Sequence, residues 1–187
     1  MNRVRALLLT AYLILSLVGS AIYVQSVNNM VQFTEADQVF PGAVNASKIE
    51  IPRFKGENQS YIVKCTFRFD NPSKVTIILR AFTFELSVDN GKPGNPFDGD
   101  RLREEWVGQG SNSSGDAGPR ISPGGFYEGA FSFRVSASDS SVLNHTNADG
   151  RYVVVLYNIS MSYGFVGTSL SRPVWLPWMV REVEPVG

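Results

Sequence analysis

Side chains able to do chemistry are scarce in this chain. Its 187 residues hold one histidine, His145, and one cysteine, Cys65. General acid–base work by imidazole would have to be built around His145, which sits in a polar stretch beside Asn144 and Thr146. A multi-His metal site is ruled out. Cys65 alternates in parity with apolar residues, the setting of a buried, inert thiol, and one cysteine makes no internal disulfide. Asp98, Asp100, Glu104 and Glu105, with Asp89 nearby, gather carboxylates. Arg101 and Arg103 interleave among them and EF-hand spacing is missing, so a solvated charged loop is the plainer reading. Ser113 and Ser114 lack a G-x-S-x-G elbow. No catalytic, cofactor-binding or metal-ligating residue is therefore assigned, and an enzyme is not expected.

Two other groups of residues carry recognisable chemistry. Asn45, Asn58, Asn112, Asn144 and Asn158 each begin N-x-[ST] without proline, the acceptor pattern for N-glycosylation. Asn71 is followed by Pro72 and is excluded. Trp175 and Trp178, set among Pro173 and Pro177, form the candidate interaction surface. In an extended segment they would fall on opposite faces, one toward the core and one toward a partner.

Charge is balanced at 17 basic and 17 acidic residues, and no basic stripe appears. Nucleic acid is not an expected partner. The N-terminus points to a membrane instead. Arg3 and Arg5 (residues 1–5) precede the uncharged run Ala6 to Val24. As a helix it would reach roughly 28 Å, close to the ~30 Å hydrocarbon thickness. Basic residues before the run orient the N-terminus toward the cytoplasm and export the remainder. A cleaved signal peptide, leaving through Gly19-Ser20-Ala21, is the rival reading; a retained signal anchor is favoured because that exit lies inside the run. Either way the bulk of the chain is extracytoplasmic, at the cell membrane.

Residues 25–47 read as a stalk, with the helix running to about Phe40 and stopped by Pro41-Gly42. From there the apolar period is two. A first strand is expected over Lys48 to Phe54. Tyr61, Val63, Cys65, Phe67 and Phe69 share one face of a second. After Asp70-Asn71-Pro72-Ser73, Val75, Ile77 and Leu79 hold one parity and Phe82, Phe84, Leu86 and Val88 the other, which marks a bulge or a corner. Asn90-Gly91 suits a tight hairpin. Residues 93–120 read as an inserted loop around a short element at Trp106, with Gly108 to Gly118 mobile. Tyr127, Phe131, Phe133 and Val135 point inward from the next strand. A polar loop with a helical turn follows, Ser136 to Gly150. In the longest strand, Arg151 to Phe165, Val153, Val155, Tyr157, Ile159, Met161 and Tyr163 are expected on one face. The pattern gives an all-β chain, an antiparallel immunoglobulin/fibronectin-like β-sandwich over residues 48–187, preceded by one N-terminal transmembrane helix.

The Asn71-Pro72 break after an alternating strand, the Phe82 to Gly91 segment, the Pro-Gly turn in "ISPGGFYEGAFSFRV" and the late "RPVWLPWMV" resemble the water-stress-and-hypersensitive-response (WHy) domain, which defines the second late-embryogenesis-abundant family. The resemblance spans Lys48 to Glu184, with Asn71, Pro72 and Gly91 as motif residues. It implies a sandwich without catalytic machinery, linked to stress tolerance and membranes. The expectation is a noncatalytic binding or structural module of the cell envelope, whose partner is an envelope protein or glycan, with self-association left open. The alternative is a subunit of an extracellular pilus-like filament, since archaeal pilins are similar in outline. Asn28 and Asn29 argue against it by shortening the helix available for a filament core.

Overall fold

Strict alternation from Tyr61 to Asp70 forces an extended segment with one buried face, and the rest of the chain is built around it. The computed structural model describes residues 3–57, 59–89 and 104–187. Helix α1 (Arg3–Val39) leads into strands β1 (Val44–Glu50), β2 (Tyr61–Asp70), β3 (Ile77–Asp89), β4 (Glu104–Ser113), β5 (Arg120–Ile121), β6 (Phe126–Val135), β7 (Tyr152–Phe165), β8 (Arg172–Trp175) and β9 (Met179–Val183). Strands β1, β2 and β6 form the smaller sheet. The larger is centred on β3 and β7: β4 and β5 share the outer edge of β3, and β8 and β9 share that of β7. All these pairings are antiparallel. The chain is thus mostly antiparallel sheet in a sandwich-like arrangement behind one apolar helix.

The core lies between the sheets. Phe67 and Phe69 of β2 meet Phe82 and Phe84 of β3 with ring centroids 4.6–4.9 Å apart, and Phe131 of β6 closes on Phe84 at 5.2 Å. Each such ring contributes roughly 1.5–3 kcal/mol of burial before entropy is subtracted. The β4 edge approaches β6 closely at Gly108, where a Cβ would overlap the Phe133 ring.

The Asn-Pro junction carries β2 of one sheet into β3 of the other. Asn71 is almost fully buried. Its Nδ2 donates to the carbonyls of Val75 and Ile121, both at 2.8 Å, and its Oδ1 accepts from the backbone N–H and the hydroxyl of Ser73. Its backbone exchanges bonds with Gly124 and Gly125 of the Pro-Gly turn. One residue, through side chain and backbone together, therefore ties the Ser73–Val75 turn, Ile121 and the Pro-Gly turn into one junction.

Two bulges set the register of β3 against β7. In β3 the pairing with β7 skips between Leu79 and Ala81, moving the core face from Ile77 and Leu79 to Phe82, Phe84, Leu86 and Val88, as the parity shift in the sequence suggested. A second skip lies in β7, and single parity fails there. Tyr152, Val154 and Leu156 join the core in the first half, and Ile159, Met161 and Tyr163 in the second. Val153, Val155 and Tyr157 face away from the opposite sheet. Asn158, at φ 48°, takes up the extra residue. Asparagine tolerates that left-handed conformation better than a branched residue does.

Other elements also differ from expectation. The first strand begins at Val44 and ends at Glu50, ahead of Pro52, which lacks the N–H a ladder needs. Gly108 to Ser113, expected to be mobile, belong to β4 and pair with β3 as far as Ala81. Glycine suits this edge because Gly108 and Gly110 lie against the rings of Phe133 and Phe84, where a Cβ would overlap them. Asn58, the Asn90-Gly91 pair expected to form a hairpin, and residues 92–103 lie outside the described residues.

Helix α1 has 37 residues, about 55 Å at 1.5 Å per residue. Over Leu7–Val39 it contains an 18-residue window of mean hydropathy 2.1, with none of that window buried. It is apolar all round, which suits lipid contact and equally fits a signal sequence. Its last turns behave differently. Ala36 and Phe40 are fully buried. Phe33 stacks on Phe165 at 4.5 Å, and Phe40 meets Tyr163 edge-on at 5.0 Å. Tyr163 donates its hydroxyl to Asp37 at 2.8 Å, and Arg172 pairs with the same carboxylate at 3.1 Å. Burial, and then the Asp37 bond, push the Tyr163 hydroxyl above its ordinary range. The end of the helix is bolted to the sandwich.

Candidate functional site

The side chains able to do catalysis are dispersed. His145 pairs with Glu105 at 3.4 Å at the sandwich edge. Cys65 is fully buried, and burial pushes its thiol up to about 12. It is inert in the folded state. Ser114 donates to Asn112 Oδ1 at 3.1 Å, a local turn contact. Among the described residues no group of three or more His, Cys, Asp and Glu could hold a metal ion. Asp98 and Asp100 lie outside the described residues.

The outer face of the larger sheet is different, and strand register builds it. In β3, Phe82, Phe84 and Leu86 point into the core, so Thr83, Glu85 and Ser87 point out. Trp106 of β4 is the partner of Ser87. Tyr157 of β7 is the partner of Glu85 and accepts a bond from Ser87 Oγ at 3.2 Å. Trp175 of β8 is the partner of Ser160, which is the partner of Thr83, and those two hydroxyls are 2.7 Å apart. Continuing the β7–β9 register one step sets Trp178 opposite Tyr157. All three tryptophans of the chain thus lie on one face, exposed by 55% at Trp106, 75% at Trp175 and 40% at Trp178.

Trp175 and Trp178 were expected on opposite faces. The segment between them is not a strand: Leu176 turns inward and donates its N–H to the Ile159 carbonyl at 2.8 Å. Strands β8 and β9 pair with β7 on either side of the Asn158 bulge, and the odd offset restores both rings to one side. Trp106 joins them through the β3–β4 pairing, which its own neighbourhood in sequence does not announce.

A groove of about 370 Å³ crosses this face, lined by Thr83, Glu85, Gln109, Ser111, Asn158 and Trp175. Hydroxyls, amides and one carboxylate surround a wide aromatic ring, and no cation is among the lining residues. Asn158 Nδ2 donates to Glu85 Oε1 at 2.8 Å. The other described sequon asparagines, Asn45, Asn112 and Asn144, are also exposed, with Asn45 Oδ1 accepting from Arg181 at 2.6 Å. Asn71 and Pro72 of the motif lie at the sheet junction, away from this face.

No protein-family model matches the chain, and no curated protein does. Among solved structures it is similar to a structural-genomics target at 13% identity and a TM-score of 0.44, over 76% of this chain and 88% of the other. It is similar to a protein from Archaeoglobus fulgidus at 12% identity and 0.39, over 74% and 94%. A β-glucosidase from Listeria innocua shares 10% identity at 0.32, and 71% of this chain corresponds to only 15% of that enzyme.

Proposed function

We propose that this chain is a membrane-anchored, extracytoplasmic binding or structural module of the cell envelope, without catalytic activity. The observation that carries the reading is the helix. From Leu7 to Val27 it exposes apolar side chains on every side, and its last turns are locked into the sandwich through Phe33, Ala36, Asp37 and Phe40. A removable leader needs no such joint. A strut that holds a domain at a membrane does. Arg3 and Arg5 ahead of the apolar run favour a cytoplasmic N-terminus. The exposed sequons suit glycosylation outside. We read the sandwich as the immunoglobulin/fibronectin-like type and propose a WHy relationship, which the junction at Asn71-Pro72 supports, where a buried asparagine joins three segments. A stress-related role follows only from that relationship.

Lysine placement gives a direct test. All five lysines, from Lys48 to Lys92, follow the helix. A membrane-impermeant amine reagent applied to intact cells should label Lys48, Lys55, Lys64 and Lys74 and spare the N-terminal amine. Labelling of those lysines only after lysis would exclude the reading.

The filament alternative gains one observation. The helix runs unbroken through Asn28 and Asn29 to Val39, so it is not short. A mature N-terminus directly after Arg5 or Ala6 would favour that second reading.

A further inference from the structure

We infer that an N-linked glycan on Asn158 lies in the groove of its own sheet face, its proximal sugars stacked on Trp175 and flanked by Glu85 and Gln109. The inference rests on the exported reading above, because the sugar donor is met outside the cytoplasm.

The geometry concentrates on one sequon. Trp175 is the cross-strand partner of Ser160, the hydroxyl residue of Asn158-Ile159-Ser160. The Leu176 N–H binds the carbonyl of Ile159, its middle residue. Asn158 is then the diagonal neighbour of Trp175, a relation that places side chains about 7–8 Å apart. Both line the same groove. The attachment atom, Nδ2, is held by Glu85. Glycosylation replaces one of its two hydrogens and leaves the other for that bond.

The chemistry of the walls selects the occupant. A sugar ring presents a flat C–H face to an aromatic ring and hydroxyls to its rim. Here a tryptophan exposed by 75% stands beside Thr83, Ser111 and Gln109. Aliphatic side chains, which a protein partner would bury, are missing from this lining, where the remaining apolar contributor, Phe84, is buried at 1% exposure, and so are the cations a nucleic acid would need. A covalently held sugar meets the ring at an effective concentration on the order of millimolar, so a contact too weak to retain a free saccharide suffices.

Transfer requires a lipid-linked oligosaccharide phosphate and its transferase. The amide nitrogen attacks the anomeric carbon. The carbon–oxygen bond to phosphate breaks, its electron pair leaving with the phosphate, and the amide proton passes to a base of the transferase. Because Ser160 pairs with strands on both sides, this step belongs to the chain before the sheet closes.

The test uses full-length protein from its native membranes. Glycopeptide mass spectrometry should find sugar on Asn158. Tryptophan oxidation by N-bromosuccinimide, mapped by peptide, should be at least threefold faster at Trp175 in Ser160→Ala and Asn158→Gln than in the parent, with Trp106 unchanged. Ser160→Ala keeps the asparagine at its left-handed position and controls for disturbance of the bulge. A bare Asn158 in protein whose lysines label from outside overturns this inference alone. So does sugar on Asn158 with equal Trp175 oxidation in all three proteins. Lysines protected in intact cells overturn the exported reading and this inference together.

Discussion

Asn71 shows how one buried polar side chain can organise a junction between sheets. Its amide bonds Val75, Ile121 and Ser73 at once, and Ile121 is fifty residues away in sequence. Replacing Asn71 by Ala should cost about 1–3 kcal/mol, because the Ile121 carbonyl loses a buried donor and the Val75 carbonyl keeps only the longer bond from the Ser73 hydroxyl. Asn71→Asp should cost more, since a carboxylate then faces both carbonyls. Urea unfolding checks both, with the midpoint falling and the slope unchanged. The sequence announced a break at Asn71-Pro72, because proline fixes φ and removes a donor. It did not announce the bond to Ile121, since a single sequence holds no record of which distant carbonyl needs a partner. Cys65 was legible for the opposite reason: local parity alone put it inside.

Elements were readable wherever one face stays buried along their length. Strand β2 follows its alternation from Tyr61 to Phe69, and the β3 bulge appears as a parity change among large apolar residues. The β7 bulge was hidden. Val153, Val155 and Ile159 are as apolar as Val154 and Leu156, so either parity looks like core there, and the change shows only in the skipped pairing with β3 and the positive φ of Asn158. Strand β4 was hidden because its inward residues include Gly108 and Gly110, which carry no apolar signal. The tryptophan face was missed with them, since it needs both registers. The helix end makes its own prediction. Phe40→Ala removes a fully buried ring, a packing loss of about 3–5 kcal/mol. Amides of residues 33–39 should exchange hydrogen at least tenfold faster, about 1.4 kcal/mol or more of local opening, while β2 and β6 keep their protection. Unchanged exchange in the helix would show that the joint does not hold it.

At the scale of the molecule, the helix fixes where the sandwich stands. Phe33 follows Val24 by nine residues, so docking begins within about 15 Å of the end of the apolar run. On the anchored reading proposed above, the sandwich would sit close over the headgroups, in an orientation set by Phe33, Phe40 and the Asp37 bonds rather than by a loose tether. All of this depends on the helix remaining part of the mature protein. Sequencing its N-terminus after alkaline extraction of membranes addresses that directly. The expected result is a chain in the membrane pellet that begins at or next to Met1. A chain beginning near Ile22 and released into the soluble fraction would contradict the anchored strut.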